Sequence, residues 1–194
     1  MHQSSYDKME KFKEKYLDDR THTKLIIIDI GSYDFNGSYK PIFNNPLWKY
    51  IGVDMEHGKN VDIVIKSLYK WTEIPSNFAD VVISGQTFEH IEYPWRTMKE
   101  IRRILKPNAI SCIIVPSSGP EHRFPLDCWR IYPDGLNAIA KFADMDIVET
   151  YCQYENQNYQ NDGSNMWKDS VLIAKKPNSP GLKSAVYDLF ERYL

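Results

Sequence analysis

The sequence predicts an α/β fold built on a doubly wound, mostly parallel sheet. Short runs of apolar, β-branched residues alternate with segments in which apolar residues recur at helical spacing. The first run, residues 24–30 (KLIIIDI), is continuously apolar apart from one acid, which is typical of a strand buried on both faces. With 194 residues and 42% hydrophobic side chains, the chain is long enough for one domain with a sizeable core.

The other elements follow from the same two patterns. Further strands are predicted at residues 50–54, 61–65, 80–84, 109–115, 146–154 and 170–175. The clearest helix begins at Pro94, carries apolar residues at helical spacing as far as Leu105, and ends before Pro107. Helical segments are also predicted at residues 3–18, 38–43, 133–142 and 183–194.

The domain organisation is predicted from these elements. Residues 1–23 form an N-terminal helical extension, residues 24–176 the main domain, and residues 177–194 a helical tail. The tail carries an apolar stripe, and we expect it to pack on its own domain because so short a stripe rarely holds a dimer together. A homodimer contact through the tail stays open as the alternative.

Composition restricts the partners. The net charge of −2 and the pI near 6.2 give no basic surface for nucleic acid or an anionic membrane. No apolar run approaches the roughly 20 residues that cross a bilayer, and the polar N-terminus is not a secretory signal. The three cysteines have no disulfide-framework spacing. We therefore expect a cytoplasmic protein with reduced thiols and a small-molecule partner.

The first two predicted strands end in residues suited to an adenosine cofactor. Gly31 follows the first strand, where a glycine lets a ligand approach the backbone, and Asp54 ends the second, where an acid can accept hydrogen bonds from ribose hydroxyls. The glycines in this region are Gly31 and Gly37, with none between, so no Gly-x-Gly-x-x-Gly motif is present to hold a pyrophosphate. This disfavours a nicotinamide oxidoreductase and favours a cofactor without phosphates.

Residues 24–115 resemble the class I S-adenosylmethionine-dependent methyltransferases, in particular the branch called methyltransferase type 11. The matching motifs, in the family's order, are DIGS at 29–32, YIGVDM at 50–55, FADVVISGQTFEHI at 78–91 and EIRRILKPNA at 100–109. The resemblance implies a Rossmann-like, seven-stranded sheet with an antiparallel last strand and helices on both faces. It also implies S-adenosylmethionine as the cofactor.

The resemblance assigns cofactor-binding residues by position. Residues near the methionine end would be Asp29, Gly31 and Ser32, whereas Asp54 would bind the ribose and Met55 would lie against the adenine. The residues facing the sulfonium and amino-acid part would be Ser84, Gly85 and Gln86. The first loop departs from the family, since it has Ser32, Tyr33 and Asp34 where further glycines are usual. Asn108 replaces a glycine more mildly, because asparagine tolerates the left-handed conformation.

The densest group of chemically active side chains is at residues 117–130 (SSGPEHRFPLDCWR). His122 is the predicted general base, because an unperturbed imidazole titrates near neutral pH, and Asp127 would orient it. The predicted substrate-binding residues are Glu89, His90, Arg123, Trp129, Arg130 and Tyr132. The alternative for the loop is a purely structural one, in which Arg–carboxylate pairs hold it together.

No metal site is predicted, because the spacing of His122, Cys128 and a further histidine matches no common zinc pattern. The polar, aromatic segment 154–168 is a candidate lid, with a solvated hairpin as the alternative. The favoured function is methyl transfer to a small polar acceptor, such as an oxygen of a sugar or glycan precursor. The alternative is a non-catalytic, methyltransferase-like binding or scaffold protein, suggested by the glycine-poor first loop.

Overall fold

The computed structural model describes residues 2–152, 159 and 163–178. They form a seven-stranded sheet with the strand order β3-β2-β1-β4-β5-β7-β6. The strands are β1 (Leu25–Ile30), β2 (Trp48–Asp54), β3 (Ile63–Val64), β4 (Ala79–Gly85), β5 (Leu105–Val115), β6 (Asp146–Cys152) and β7 (Ser170–Lys175). The first five strands pair in parallel, and β7 is antiparallel to both of its neighbours, β5 and β6.

The helices are α1 (Gln3–Leu17), α2 (Pro94–Ile104), α3 (Pro133–Phe142) and the short α4 (Ser164–Trp167). Three 3₁₀ turns lie at Asp18–Arg20, Lys40–Phe43 and Phe88–His90. Among the described residues, no helix combines the length and apolarity needed to cross a membrane.

The sheet separates two hydrophobic clusters, as expected when helices cover both faces. One cluster joins the sheet to α2 and α3 and includes Met98, Ile101 and Leu136. The other joins it to α1 and includes Met9 and Phe12, which are 0% and 2% exposed. The predicted fold class is therefore confirmed, and α1 is part of the packed structure.

The structure corrects the end of the helix that begins at Pro94. The helix stops at Ile104, and Leu105 opens β5 instead of completing the helical face. The physical reason is local: Leu105 has extended backbone and pairs with Ala79 at the start of β4. Asn108 has φ of +62°, the left-handed conformation that asparagine tolerates in place of glycine. The predicted helix at 183–194 lies outside the described residues.

The sheet also determines where a ligand can bind. The chain leaves β1 toward β2 on one side, and later returns to place β4 on the other side of β1. This reversal is a topological switch point, and open α/β sheets bind ligands in the crevice outside the carboxyl ends of the strands there.

Candidate functional site

The turn after β1 lies directly against the end of β2. The backbone N–H groups of Gly31 and Ser32 both donate to the carbonyl oxygen of Val53, at 2.9 and 3.2 Å. Gly31 has φ of +78°, and a Cβ built on it would overlap the side chain of Thr87. Any other residue would strain the backbone and collide with Thr87. The sequence assigns Gly31 to close contact with a ligand. In this structure the side chain of Thr87 lies close against Gly31.

Asp54 ends β2 beside this turn, with its carboxylate half-buried. The backbone N–H of Tyr33 donates to Oδ2 at 3.0 Å, and that of Met55 donates to Oδ1 at 2.7 Å. Each carboxylate oxygen has two lone-pair directions, so the group is fixed in orientation and still has capacity for further donors. Met55, next in the chain, is 41% exposed and offers an apolar surface beside the carboxylate.

Asp29 is an interior residue of the same edge. It is almost fully buried, and its Oδ2 accepts a hydrogen bond from the Tyr50 hydroxyl, so it links β1 to β2. Burial raises the pKa of Asp29 to about 7, the negative charge of Asp54 acts in the same direction, and the Tyr50 hydrogen bond opposes both. Asp29 therefore stabilises the end of β1 that leads into this turn.

The turn after β4 forms the opposite wall of the crevice. Ser84 is fully buried and its Oγ donates to the carbonyl oxygen of Ile30 at 2.9 Å, which ties the ends of β4 and β1 together. Gly85 leaves room for the ring of Tyr39, which a Cβ at that position would overlap. Gln86 has φ of +58° and donates from Nε2 to Asp169 at 3.0 Å.

Asp169 connects this wall to the N-terminal helix. The buried carboxylate lies just before β7 and accepts hydrogen bonds from Ser4 Oγ at 2.7 Å and from Gln86. His2 Nε2 is 3.0 Å from the same group, and Lys8 Nζ is 3.7 Å from it. These partners hold the pKa of Asp169 below its usual value despite burial. The N-terminal helix is therefore anchored at the carboxyl edge of the sheet.

The loop after β5 is organised around Asp127. Arg130 donates to both carboxylate oxygens of Asp127, at 2.7 and 2.8 Å, and the backbone N–H of His122 donates to Oδ2 at 2.6 Å. Arg130 chiefly, with help from His122, lowers the pKa of Asp127 to about 2. The His122 imidazole lies beside this pair, with Nδ1 3.5 Å from Asp127 Oδ2 and 3.3 Å from Arg130 Nη2. Burial lowers the pKa of His122.

A second group of polar side chains faces His122 from the turn after β4. The rings of His90 and His122 are 4.9 Å apart, edge to face. Glu89 is fully buried, and within the described part of the chain neither of its carboxylate oxygens has a hydrogen-bond partner. Its backbone carbonyl instead accepts from the N–H groups of Cys128 and Trp129, at 2.7 and 3.2 Å, which fastens the loop to this turn.

Aromatic side chains line a groove on the other side of Arg130. The groove has a volume of about 740 Å³ and includes Trp95, Trp129, Arg130 and Tyr132. Trp129 and Tyr132 are 39% and 59% exposed, and the Trp129 indole N–H is fixed by the carbonyl oxygen of Ile91 at 2.9 Å. Flat, exposed rings next to a guanidinium suit a ligand with an apolar ring face and polar edges.

The remaining predicted residues lie at the outer rim of this loop. Arg123 is exposed and pairs with Glu121 at 2.7 Å. Phe124 packs edge to face on Phe35 of the first loop, with 5.0 Å between ring centroids, so the loops after β1 and β5 meet. Of the candidate lid at 154–168, residues 154–158 and 160–162 lie outside the described residues. At the described end of this segment, the ring centroids of Trp167 and His122 are 4.7 Å apart.

Several site residues were not identified from the sequence. They are Tyr39, Tyr50, Thr87, Trp167 and Asp169. Each gains its place from a contact distant in sequence, such as the pairing of Tyr50 with Asp29 across two parallel strands. A polar side chain next to an apolar strand was the only signal available, and many unrelated residues share it.

Comparisons with known proteins identify a matching domain and solved structures of the same fold. Residues 37–113 match the family model described as a methyltransferase domain. The match covers β2 to β4 and most of β5, and it leaves the turn at 29–32 and the loop at 117–132 outside it. No curated protein sequence matches the chain significantly.

Solved structures share the fold. A candidate methyltransferase from Bacillus halodurans C-125 superposes with a TM-score of 0.64 at 12% identity, covering 90% of this chain and 99% of that one. A SAM dependent methyltransferase from Aquifex aeolicus gives 0.57 at 18% identity, over 89% and 97% of the two chains. The [4+2]-cyclase SpnF gives 0.62 at 14% identity, over 88% and 82%.

The cyclase shows that this fold alone does not define one reaction. The match to the methyltransferase-domain model, which rests on sequence, is therefore the observation that favours methyl transfer over cyclisation. Residues 37–113 are therefore similar to a methyltransferase domain, and the described residues share the fold of these solved structures.

Proposed function

We propose that this enzyme transfers a methyl group from S-adenosylmethionine to an oxygen of a small, sugar-like polar acceptor. The observation that carries the proposal is the position of Asp54 at the topological switch point. Its carboxylate is oriented by two backbone N–H groups and keeps acceptor capacity for ribose hydroxyls. The absence of a phosphate-binding glycine motif in the sequence fits a cofactor that carries no phosphate.

The other cofactor contacts are proposed on the same edge. Gly31 and Ser32 would present their backbone to the methionine end, with Asp29 supporting them, and Met55 would lie on the adenine. Ser84 would act as a positioning residue, since its hydroxyl holds Ile30, while Gly85 and Gln86 would line the wall toward the sulfonium. The cofactor, when bound, supplies a methyl group on a positively charged sulfur.

The acceptor is proposed to bind under the loop after β5. His122 takes the hydroxyl proton as the acceptor oxygen attacks, and its lowered pKa keeps the imidazole in the neutral, proton-accepting form at neutral pH. Asp127 holds the loop through Arg130 and the His122 backbone. Trp129 and Tyr132 provide ring faces for the acceptor, Arg130 a positive edge, and Arg123, Glu89 and His90 further polar contacts.

The first test is calorimetric titration with S-adenosylmethionine and S-adenosylhomocysteine. We expect both to bind, and we expect Asp54→Ala to weaken binding by about tenfold or more, because hydrogen bonds to a charged group are lost. Asp62→Ala, which removes a carboxylate that only holds Gly52 N–H at 2.8 Å, is the control for general loss of structure. Failure of folded protein to bind either compound would refute the proposal.

The second test separates the acceptor half. His122→Ala should impair methyl transfer to the best hydroxylated acceptor in a labelled-methyl screen, while cofactor affinity stays within about twofold because His122 belongs to the acceptor side. Equal loss of both would assign His122 a structural role. A screen in which only amines or thiols become methylated would contradict the choice of oxygen.

A further inference from the structure

Among the described polar side chains beneath the loop after β5 is a buried carboxylate without a hydrogen-bond partner. Glu89 is 0% exposed, and within the described part of the chain neither carboxylate oxygen makes a hydrogen bond. A buried, ionised carboxylate without a partner is strongly unfavourable, so such a group is either protonated or bound to a cation.

Two histidines complete a ligand set around this carboxylate. One ligand atom each from Glu89, His90 and His122 lies within 4.8 Å of the other two. Glu89 Oε1 and His90 Nε2 are 3.7 Å apart, close to the ligand separation of about 3.3 Å that a tetrahedral zinc ion requires. His122 is on a partly exposed loop, with 40% of its side chain accessible, so it can move the remaining distance.

The surroundings of His90 also suit a metal ligand. Its Nδ1 lies 2.5 Å from the carbonyl oxygen of Leu126, so Nδ1 carries the proton and Nε2 keeps its lone pair on the side of Glu89. A second hydrogen bond of this kind orients most metal-binding histidines. Arg130 forms its ion pair with Asp127 nearby and makes no hydrogen bond to Glu89.

We propose that Glu89, His90 and His122 form a binding site for a divalent transition-metal ion such as Zn²⁺. The donor set of two imidazoles and one carboxylate is the set that catalytic zinc and related ions use, whereas Mg²⁺ and Ca²⁺ prefer oxygen ligands. The sequence predicts no metal site because its zinc patterns rest on regular spacing. Here two ligands follow β4 and the third follows β5, and only the fold joins them.

The metal site itself does not depend on the proposed function, but its effect on the acceptor does. Three protein ligands leave a coordination position for water or for an acceptor oxygen. An imidazole that binds the metal cannot also take a proton. In the metal-loaded enzyme, the cation would therefore lower the pKa of the acceptor hydroxyl, its proton would pass to a solvent water molecule, and His122 would not act as the general base.

The test is calorimetric titration of untagged, chelator-treated protein with ZnCl₂, in a Cys128→Ser background that removes the exposed thiol. We expect one Zn²⁺ per chain, with binding weakened more than about tenfold in Glu89→Gln, His90→Ala and His122→Ala. The matched control is His22→Ala, an exposed histidine away from the site, which should bind as the parent does. Glu89→Gln mimics the protonated acid, so it should keep the fold.

Substitution of Co²⁺ gives a second readout, because its visible absorption reports coordination by nitrogen and oxygen ligands and should be lost in the same three variants. No stoichiometric Zn²⁺ binding, equal binding by all variants, or loss in His22→Ala alone would overturn the proposal. S-adenosylmethionine is titrated into the same metal-free protein. Cofactor binding without zinc binding would refute only the metal site, and the reverse result would refute only the proposed function.

Discussion

The two edges of the proposed active site are held together in different ways. At the cofactor edge, the residues lie at the ends of neighbouring strands, and backbone hydrogen bonds such as Gly31 N–H to Val53 fix them. At the acceptor edge, one irregular loop is held by the Asp127–Arg130 pair and by two N–H groups on the Glu89 carbonyl. We infer that substitutions at the first edge disturb the fold, whereas those at the second disturb the loop alone.

The largest expected effect is that of Gly31→Ala. The new Cβ would adopt an unfavourable φ of +78° and overlap Thr87, so we expect a loss of about 3 kcal/mol in the free energy of unfolding. Urea denaturation measures the loss, and cofactor titration should show reduced affinity as well.

Thr87 provides the control for this prediction. Adding Thr87→Gly to Gly31→Ala removes the overlapping side chain but not the backbone strain, so we expect about half of the lost stability to return. A single Gly31→Ala variant as stable as the parent would contradict the view that the cofactor edge is rigidly built.

The next effect is a pH dependence caused by Asp29. Its pKa is about 7 in the folded protein, against an ordinary value of 3.8 for a solvated aspartate, so the folded protein holds the proton more tightly between those values. Stability therefore falls as pH rises through this window and levels off above pH 7. Between pH 5.5 and 8, Asp29 should lower the free energy of unfolding of the parent by about 2 kcal/mol. Asp29→Asn should not show this loss.

Urea denaturation at the two pH values checks the prediction, with Asp146→Asn, an exposed acid at the start of β6, as the matched control. The control should follow the parent at both pH values. The same pH dependence in Asp29→Asn and the parent would mean that Asp29 is not the titrating group.

The grouping of residues at the proposed cofactor edge was easier to predict from the sequence than that at the proposed acceptor edge, for a physical reason. Strand ends can be located from continuous apolar runs, and parallel pairing then brings Asp29, Gly31 and Asp54 to one edge whatever their side chains do. Seven strands were located from the same apolar runs, whereas the antiparallel direction of the last strand was implied by the family resemblance.

The acceptor edge depends on contacts that no local pattern encodes. Trp167, next to His122, comes from a segment far along the chain, and Glu89 is buried although glutamate is ordinarily an exposed residue. The end of α2 was misplaced because Leu105 continues the helical spacing, and only its pairing with Ala79 makes it a strand residue.

The smallest effect on global stability is expected at the acceptor edge, in Arg130→Gln. Asp127 would lose its bidentate partner but keep the His122 N–H at 2.6 Å, and the loop reaches solvent, so we expect a loss of only about 1 kcal/mol. The pKa of Asp127, about 2 in the parent, lies below its ordinary value, so the pair stabilises above pH 4 and this contribution falls as pH drops toward 2.

The local effect of Arg130→Gln should nevertheless be large. Chymotrypsin should cleave after the exposed Leu126 several-fold faster once the loop is released, while cofactor affinity stays within about twofold. Arg123→Gln is the matched control, because its pair with Glu121 is exposed on both sides and should leave stability and cleavage unchanged. If Arg130→Gln weakened cofactor binding as strongly as methyl transfer, the two edges would form one cooperative unit, and the difference inferred between them would be wrong.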